Sequence, residues 1–167
     1  MSEKQRIDVT NLEIFPMQPE HLGRVLEIEN VSFPTPWSYR SYLGELTRNN
    51  FAHYFVAMLD GIIVGYIGLW IVVDETHITT IAVAPEYRGN KIAEKLIEFA
   101  EEYSKIWGAE KMILEVRISN TPAQKVYKRM GFEQIGIRKQ YYSDTLEDAI
   151  VMLKRYLDLT HFEEKPV

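Results

Sequence analysis

The spacing of hydrophobic residues along the chain changes from segment to segment, and it predicts the secondary structure. Residues 53–59 (HYFVAML) and 62–73 (IIVGYIGLWIVV) are rich in β-branched and aromatic residues, and Asp60-Gly61 between them is a strong hairpin signal. We therefore expect two consecutive antiparallel strands. Similar runs predict five further strands, at 12–17 (LEIFPM), 77–84 (HITTIAVA), 111–118 (KMILEVRI), 132–142 (FEQIGIRKQYY) and 148–157 (DAIVMLKRYL).

Four other segments repeat their hydrophobic residues every three or four positions, as amphipathic helices do. The first covers 18–30, and its expected buried side consists of Leu22, Val25, Leu26 and Ile28. The prolines of FPTPW (33–37) end that helix, and Ser38 is the expected N-cap of a second helix over 39–47.

The third helix begins at Lys91 and ends near Gly108, and the fourth is capped by Asn120 and ends at Gly131. The order is then βααβββαβαββ, which predicts an α/β fold with a central mixed sheet flanked by helices. A chain of 167 residues, 46% of them hydrophobic, fits one domain, which we place at 1–157. A short polar tail, 158–167, follows it.

Charge and composition exclude several classes of function. The net charge of -5 argues against nucleic-acid binding, which needs a basic surface. The absence of cysteine excludes disulfides, thiolate metal sites and an acyl-cysteine intermediate, and we expect no metal. No signal peptide is apparent, and no apolar run reaches the ~20 residues that span a bilayer. We therefore expect a cytoplasmic protein without membrane contact.

The loop Arg88-Gly89-Asn90-Lys91 lies between a predicted strand and a predicted helix. The first N–H groups of a helix have no intrahelical partner, so such a loop can bind a phosphate or pyrophosphate. The alternative is an ordinary solvated connection. The chain contains neither G-x-G-x-x-G nor G-x-x-x-x-G-K-[ST], which disfavours a dinucleotide-dependent dehydrogenase or a nucleoside triphosphatase.

Glu115 lies between Leu114 and Val116 in a strand that otherwise reads as buried. A carboxylate in such surroundings either pairs with a cation or has its pKa raised by desolvation, and the second case would suit a general base. On its pattern alone, His77 reads as a strand-edge histidine and Tyr127 as a core residue. A tyrosine facing a cleft can instead protonate a leaving thiolate, and Tyr141 and Tyr142 either pack or line a substrate groove.

Three blocks taken in order, IAVAPEYRGNKIAEKLIEFA, LEVRISNTPAQKVYKRMGF and YYSDTLEDAIVM, resemble the GNAT acetyltransferases. Within that family the chain is most similar to the Nα protein acetyltransferases, including the ribosomal-protein alanine acetyltransferases and their archaeal relatives. The resemblance covers about residues 12–156. It implies direct transfer of acetyl from acetyl-CoA to the α-amino group of a polypeptide, within a ternary complex.

The resemblance also implies roles for single residues. Glu115 is expected to be the general base, His77 to hold or activate its water, and Tyr127 to be the general acid. The expected cofactor-binding residues are Ile81, Ala82, Val83, Arg88, Gly89, Asn90, Lys91, Ile92, Ala93, Asn120 and Tyr127. The expected peptide-binding residues are Phe33, Pro34, Tyr141 and Tyr142.

At Lys91 the chain departs from the family, which commonly has glycine there. A Cβ at this position either weakens cofactor binding or is offset by Gly89 and by a phosphate contact of the ammonium group. Two alternatives to the leading hypothesis are a lysine or small-amine N-acetyltransferase and a non-catalytic acyl-CoA-binding or interaction module. The expected partners are protein N-termini, with a homodimer or an auxiliary subunit left open.

Overall fold

The computed structural model describes residues 6–156, so the predicted tail 158–167 lies outside the described residues. The predicted order of elements is confirmed, and two short 3-10 helices, Pro19–His21 and Pro85–Tyr87, are added to it. The strands are β1 (Glu13–Pro16), β2 (Ala52–Leu59), β3 (Ile62–Val72), β4 (Glu75–Val83), β5 (Lys111–Arg117), β6 (Glu133–Arg138) and β7 (Ala149–Arg155). The α-helices are α1 (Leu22–Ser32), α2 (Tyr39–Arg48), α3 (Ile92–Ile106) and α4 (Thr121–Arg129).

The seven strands form one mixed sheet in the order β1-β2-β3-β4-β5-β7-β6. The pair β4–β5 is parallel, whereas β1–β2, β2–β3, β5–β7 and β6–β7 are antiparallel. The predicted hairpin turn between β2 and β3 is present, because Asp60 has φ 51° and Gly61 has φ 78°. Positive φ at both central residues is what a two-residue type I′ turn requires. The predicted mixed α/β fold is confirmed.

The described chain divides into two compact units, 6–70 with 78–102 and 71–77 with 103–156. The single domain expected for residues 1–157 stays a prediction. None of the helices between residues 6 and 156 is long and apolar enough to cross a membrane.

The first unit has a core of aliphatic and aromatic side chains under α1 and α2. Leu22, Val25 and Ile28 are buried as predicted, whereas Leu26 is only partly buried. Ser38 caps α2 as predicted, because its hydroxyl accepts a hydrogen bond from the Ser41 N–H at 3.1 Å. The helix α2 begins where the sequence predicts it because its first residue follows a capping serine, and proline follows the end of α1. The helix predicted over 18–30 differs, because its first turn is the 3-10 helix Pro19–His21 and α1 extends to Ser32.

The second unit contains the parallel pairing of β4 with β5, which consists of Glu75–Lys111, Thr76–Met112 and His77–Ile113. Along β5, Met112, Leu114 and Val116 are buried and the residues between them are partly exposed. Because successive side chains of a strand point to opposite faces, Glu115 shares a face with Ile113 and therefore with His77. This register determines the geometry of the site described below.

Thr76 provides a test of the packing of β4. Its side chain is fully buried, and its hydroxyl makes no hydrogen bond to any described residue. An unpaired buried hydroxyl costs about 1–3 kcal/mol, so we expect Thr76→Val to raise the free energy of unfolding by about 1 kcal/mol. Urea denaturation measures the change, provided that the slope of the transition is unaltered.

Thr79, on the same strand, is the matched control. Its hydroxyl is hydrogen-bonded to the hydroxyl of Tyr54 at 2.8 Å, so Thr79→Val should lower the free energy of unfolding by about 1 kcal/mol. A loss of stability in Thr76→Val as large as that in Thr79→Val would show that the Thr76 hydroxyl has a partner.

Candidate active site

His77 and Glu115 are in direct contact in the second unit. His77 Nε2 lies 2.6 Å from Glu115 Oε2, and the two side chains are 28% and 7% exposed. The parallel register places both residues on one face of the sheet, one from β4 and one from β5. With its proton on Nε2, the imidazole donates to the carboxylate. The structure therefore brings together two residues that pattern alone gave no reason to pair.

Arg138 of β6 supplies a positive group near the same carboxylate. Its Nη2 lies 3.7 Å from Glu115 Oε1. Of the two sequence-based alternatives for Glu115, the structure shows a cationic partner, Arg138, at ion-pair distance, and a carboxylate with such a neighbour can still accept a proton. The sequence analysis did not identify Arg138, because its approach to Glu115 depends on the order β5-β7-β6, which local patterns do not encode.

Tyr141 and Tyr142 lie in the connection between β6 and β7, with ring centroids 5.1 Å apart in an edge-to-face arrangement. The guanidinium of Arg138 is 5.6 Å from the Tyr141 ring centroid, and that of Arg117 is 4.0 Å from the Tyr142 ring centroid. Burial raises the pKa of Tyr141 and raises that of Tyr142 to about 12. Arg138 thus contacts both Glu115 and Tyr141, which makes the tyrosine pair part of the same cluster.

Arg117, which the sequence analysis did not single out, holds the chain that follows these tyrosines. Its Nη2 lies 2.8 Å from Asp144 Oδ2, and its Nη1 donates to the Thr145 hydroxyl at 3.1 Å. A planar guanidinium can stack on an aromatic ring and bind a carboxylate at the same time, whereas an ammonium group cannot do both as well. Arg117 therefore orders the β6–β7 connection around Tyr142.

Tyr127 lies in α4, and Asn120 directly precedes that helix. Asn120 caps the helix as predicted, with its Oδ1 accepting from the Ala123 N–H at 3.2 Å. Tyr127 packs edge-on against Phe132, with centroids 5.9 Å apart, and its hydroxyl makes no hydrogen bond to a described residue. Burial raises the pKa of Tyr127 to about 12, so the phenol stays protonated at neutral pH. No residue of α4 is fully buried, so Tyr127 is not the simple core residue that its spacing predicts.

The predicted phosphate loop lies in the first unit. Arg88 donates from Nε to the Val83 carbonyl at 3.0 Å and from Nη2 to the Ser32 hydroxyl at 3.1 Å. Asn90 donates to the Tyr87 carbonyl at 2.9 Å. Arg88 therefore holds the loop against the end of β4, and its positive charge is directed toward protein groups, while Asn90 binds within the loop itself.

Lys91 has a left-handed backbone, with φ 62°, and Gly89 has φ 84°. The Lys91 carbonyl accepts the first bond of α3, from the Lys95 N–H at 3.1 Å. The N–H groups of Ile92 and Ala93 precede that bond and have no carbonyl of the helix within reach. Lys91 thus retains a glycine-like conformation, which costs a non-glycine residue about 1 kcal/mol or more. Gly89 does not remove this constraint.

The remaining predicted residues also lie in the first unit. Phe33 ends α1, donates its N–H to the Glu29 carbonyl at 3.1 Å and packs against the buried cluster, while Pro34 is exposed. Ile81, Ala82 and Val83 form the end of β4, beyond the three residues that pair with β5. Their predicted roles in binding peptide and cofactor stay predictions.

Comparison with known proteins identifies the family. Residues 22–132 match the sequence profile of the Acetyltransferase (GNAT) family. The chain is 46% identical over 143 residues to a Bacillus subtilis (strain 168) protein provisionally named ribosomal protein bS18-alanine N-acetyltransferase, covering 86% of this chain and 95% of that protein. It is 32% identical over 144 residues to the N-alpha-acetyltransferase of Sulfurisphaera tokodaii, and the alignment covers 78% of this chain and 85% of that protein.

Among solved structures, the chain is similar to the ribosomal-protein-S18-alanine N-acetyltransferase of Escherichia coli. The TM-score is 0.78 at 27% sequence identity, and the alignment covers 86% of this chain and 93% of the other.

The left-handed backbone of Lys91 can be tested by mutation. In Lys91→Gly the strain is relieved, and this outweighs the greater flexibility of the unfolded chain, so the free energy of unfolding should rise by ~0.5–1 kcal/mol. Lys95→Gly makes the same replacement inside α3 and should lower it by ~1 kcal/mol. Urea denaturation of both variants provides the comparison. Equal losses in both would contradict a strained Lys91.

Proposed function

Because the chain belongs to the GNAT acetyltransferase family and is an acetyl-CoA-dependent N-acetyltransferase, we propose that its acceptor is the free α-amino group of a protein N-terminus. The observation that supports this most directly is the 2.6 Å contact between His77 and Glu115. It joins two proton-accepting groups at one point of the sheet. The names of the relatives, which specify N-terminal or alanine acetylation, point to the same acceptor.

A carboxylate–imidazole pair suits the acidity of an α-amino group. An α-ammonium has a pKa of about 7.7–8.0 and a lysine ammonium one of about 10.4. At neutral pH the neutral amine is therefore roughly 300 times more abundant for the α-amino group. His77 and Glu115 need only remove a proton that is already weakly held, which favours the N-terminus over a lysine side chain.

Each step of the reaction would use residues that the sequence analysis singled out. The N–H groups of Ile92 and Ala93 and the loop before them would bind the pyrophosphate of acetyl-CoA, and Asn120 would contact the cofactor near its thiol. The amine nitrogen forms the new bond to the acetyl carbon, the carbon–sulfur bond breaks with its electron pair leaving on sulfur as the CoA thiolate, and the amine proton passes to Glu115, directly or through water held by His77. The N–H of Val83 is our candidate donor to the oxyanion.

The acceptor would be bound by Phe33 and Pro34 and by the Tyr141–Tyr142 pair. Two rigid aromatic rings held by guanidinium groups supply contact area with little loss of side-chain entropy, which suits a short, variable peptide. An alanine N-terminus is the first candidate to test, because it is the residue that the relatives' names specify.

The decisive experiment uses two sets of peptides with the purified full chain and acetyl-CoA. One set carries a free α-amino group with every possible first residue and no lysine, and the other has a blocked N-terminus and an internal lysine. Mass spectrometry should find acetylation in the first set only. Acetylation confined to lysine would favour the side-chain acetyltransferase, and binding of acetyl-CoA with no transfer would favour the interaction module.

The substitution Glu115→Gln tests whether Glu115 is the general base. Since general base catalysis typically contributes 10²–10⁴-fold, we expect turnover to fall by about 100-fold or more while calorimetry shows an unchanged Kd for acetyl-CoA. Glu133→Gln is the matched control, because Glu133 lies exposed on β6, and its turnover should stay within about twofold of the parent. If Glu115→Gln turned over as fast as the unmutated protein, Glu115 would not be the general base.

A further inference from the structure

Glu29 is a buried carboxyl group that the reaction described above does not use. It lies in the last turns of α1 and is 1% exposed. The Tyr42 hydroxyl donates to its Oε1 at 2.7 Å, and the Tyr66 hydroxyl lies 3.2 Å from the same oxygen. Both tyrosines are fully buried. A buried carboxyl group needs such partners, because leaving it unpaired would cost several kcal/mol.

No cationic group among residues 6–156 forms an ion pair with Glu29. Burial raises the pKa of Glu29, while the hydrogen bonds from Tyr42 and Tyr66 oppose that rise. Replacing a buried polar group and its partners with packed apolar residues can be nearly neutral or stabilising, so stability alone is a weak reason for the presence of Glu29. Its position relative to neighbouring segments suggests another reason.

Both ends of the connection between α1 and α2, residues 33–37, are held through Glu29. At the first end, the Glu29 carbonyl accepts the Phe33 N–H at 3.1 Å. At the other, Trp37 packs on the ring of Tyr42, with centroids 5.3 Å apart, and the Tyr42 hydroxyl is bound to the Glu29 carboxyl group. Glu29 therefore reaches the connection through its backbone at one end, by the usual bond of a helix end, and through its side chain and Tyr42 at the other, where Trp37 also packs near Tyr54.

The same connection is joined to the proposed cofactor loop. Ser32, next to Phe33, accepts a hydrogen bond from Arg88, which also donates to the end of β4 at Val83. The partly buried side chains of Phe33, Trp37 and Tyr87 pack on one buried cluster. Pro34 and Pro36 are exposed within this arrangement. The exposed part of the connection thus lies beside the loop proposed to bind acetyl-CoA.

We propose that Glu29 is a positioning residue that holds residues 33–37 in the conformation that receives the acceptor amine, acting through Tyr42 and Trp37. This inference rests on the proposed function, in which Phe33 and Pro34 bind the acceptor. Loss of the Glu29–Tyr42 contact raises KM for the acceptor and leaves the acetyl-transfer step and acetyl-CoA binding unchanged.

Tyr42→Phe and Tyr66→Phe form a matched pair for testing it. Each removes one hydroxyl from the same carboxyl group and keeps the ring, but Tyr66, in β3, makes no ring contact with Trp37 among the described residues. Tyr42→Phe should raise KM for the acceptor by about fivefold, with kcat and the Kd for acetyl-CoA within about twofold of the parent. Tyr66→Phe should leave all three within about twofold, and urea denaturation should show similar losses of stability in both variants.

Glu29→Gln and Glu29→Leu complete the test. Glutamine can accept from one phenol and donate to the other, so KM should stay near the parental value, whereas leucine removes the carboxyl partner of both hydroxyls and should raise KM at least as much as Tyr42→Phe. If Glu29→Leu fails to fold, the comparison of KM between Tyr42→Phe and Tyr66→Phe still tests the positioning role. Equal KM values in Tyr42→Phe and Tyr66→Phe, or a loss confined to kcat, would overturn the positioning role.

Failure of the proposed function gives a different result. The parent is first assayed with peptide, lysine and small-amine acceptors, and the variants are then compared on the best of them. A parent that acetylates only lysine or small amines overturns N-terminal acetylation, while the KM ratio of the two tyrosine variants on that amine still tests Glu29. Unchanged KM ratios on a peptide α-amine overturn the role of Glu29 alone.

Discussion

The parallel pairing of β4 with β5 is the constraint on which the candidate catalytic pair depends. It consists of three residue pairs and ends at His77 and Ile113. A shift of one residue would turn Glu115 to the opposite face of the sheet, because side chains alternate along a strand. Parallel strands also need a long connection between them. Here that connection carries both the loop at Lys91 and the whole of α3.

Most of the fold could be predicted because its signals are local. Ser38 caps α2 and Asp60-Gly61 turns the β2–β3 hairpin through interactions within a few residues. The strand order could not be read in this way, since it depends on contacts between distant segments. For that reason His77, on pattern alone, looked like an ordinary strand-edge histidine. Its contact with Glu115 becomes visible only once β4 and β5 are in register.

Glu29 and Lys91 differ in whether their structural roles could have been predicted from the sequence pattern. Leu22, Val25 and Glu29 are spaced by three and four, so Glu29 occupies an apolar position of α1, and a charged residue there is a signal of a buried polar contact. Lys91 is different, because no pattern in a single chain reveals the sign of φ. The structure shows that Lys91 has the left-handed backbone that glycine would adopt, and this conformation strains a residue with a Cβ atom.

The pKa of Tyr127 narrows the role that the resemblance assigns to it. A phenol with a pKa of about 12 is a weaker acid than an ordinary thiol, whose pKa is about 8.5. Complete proton transfer from this phenol to a departing thiolate would therefore be unfavourable. A hydrogen bond from the Tyr127 hydroxyl to sulfur has no such cost and stabilises the charge as it develops. We therefore expect Tyr127 to act as a hydrogen-bond donor, with solvent supplying the proton after the carbon–sulfur bond has broken.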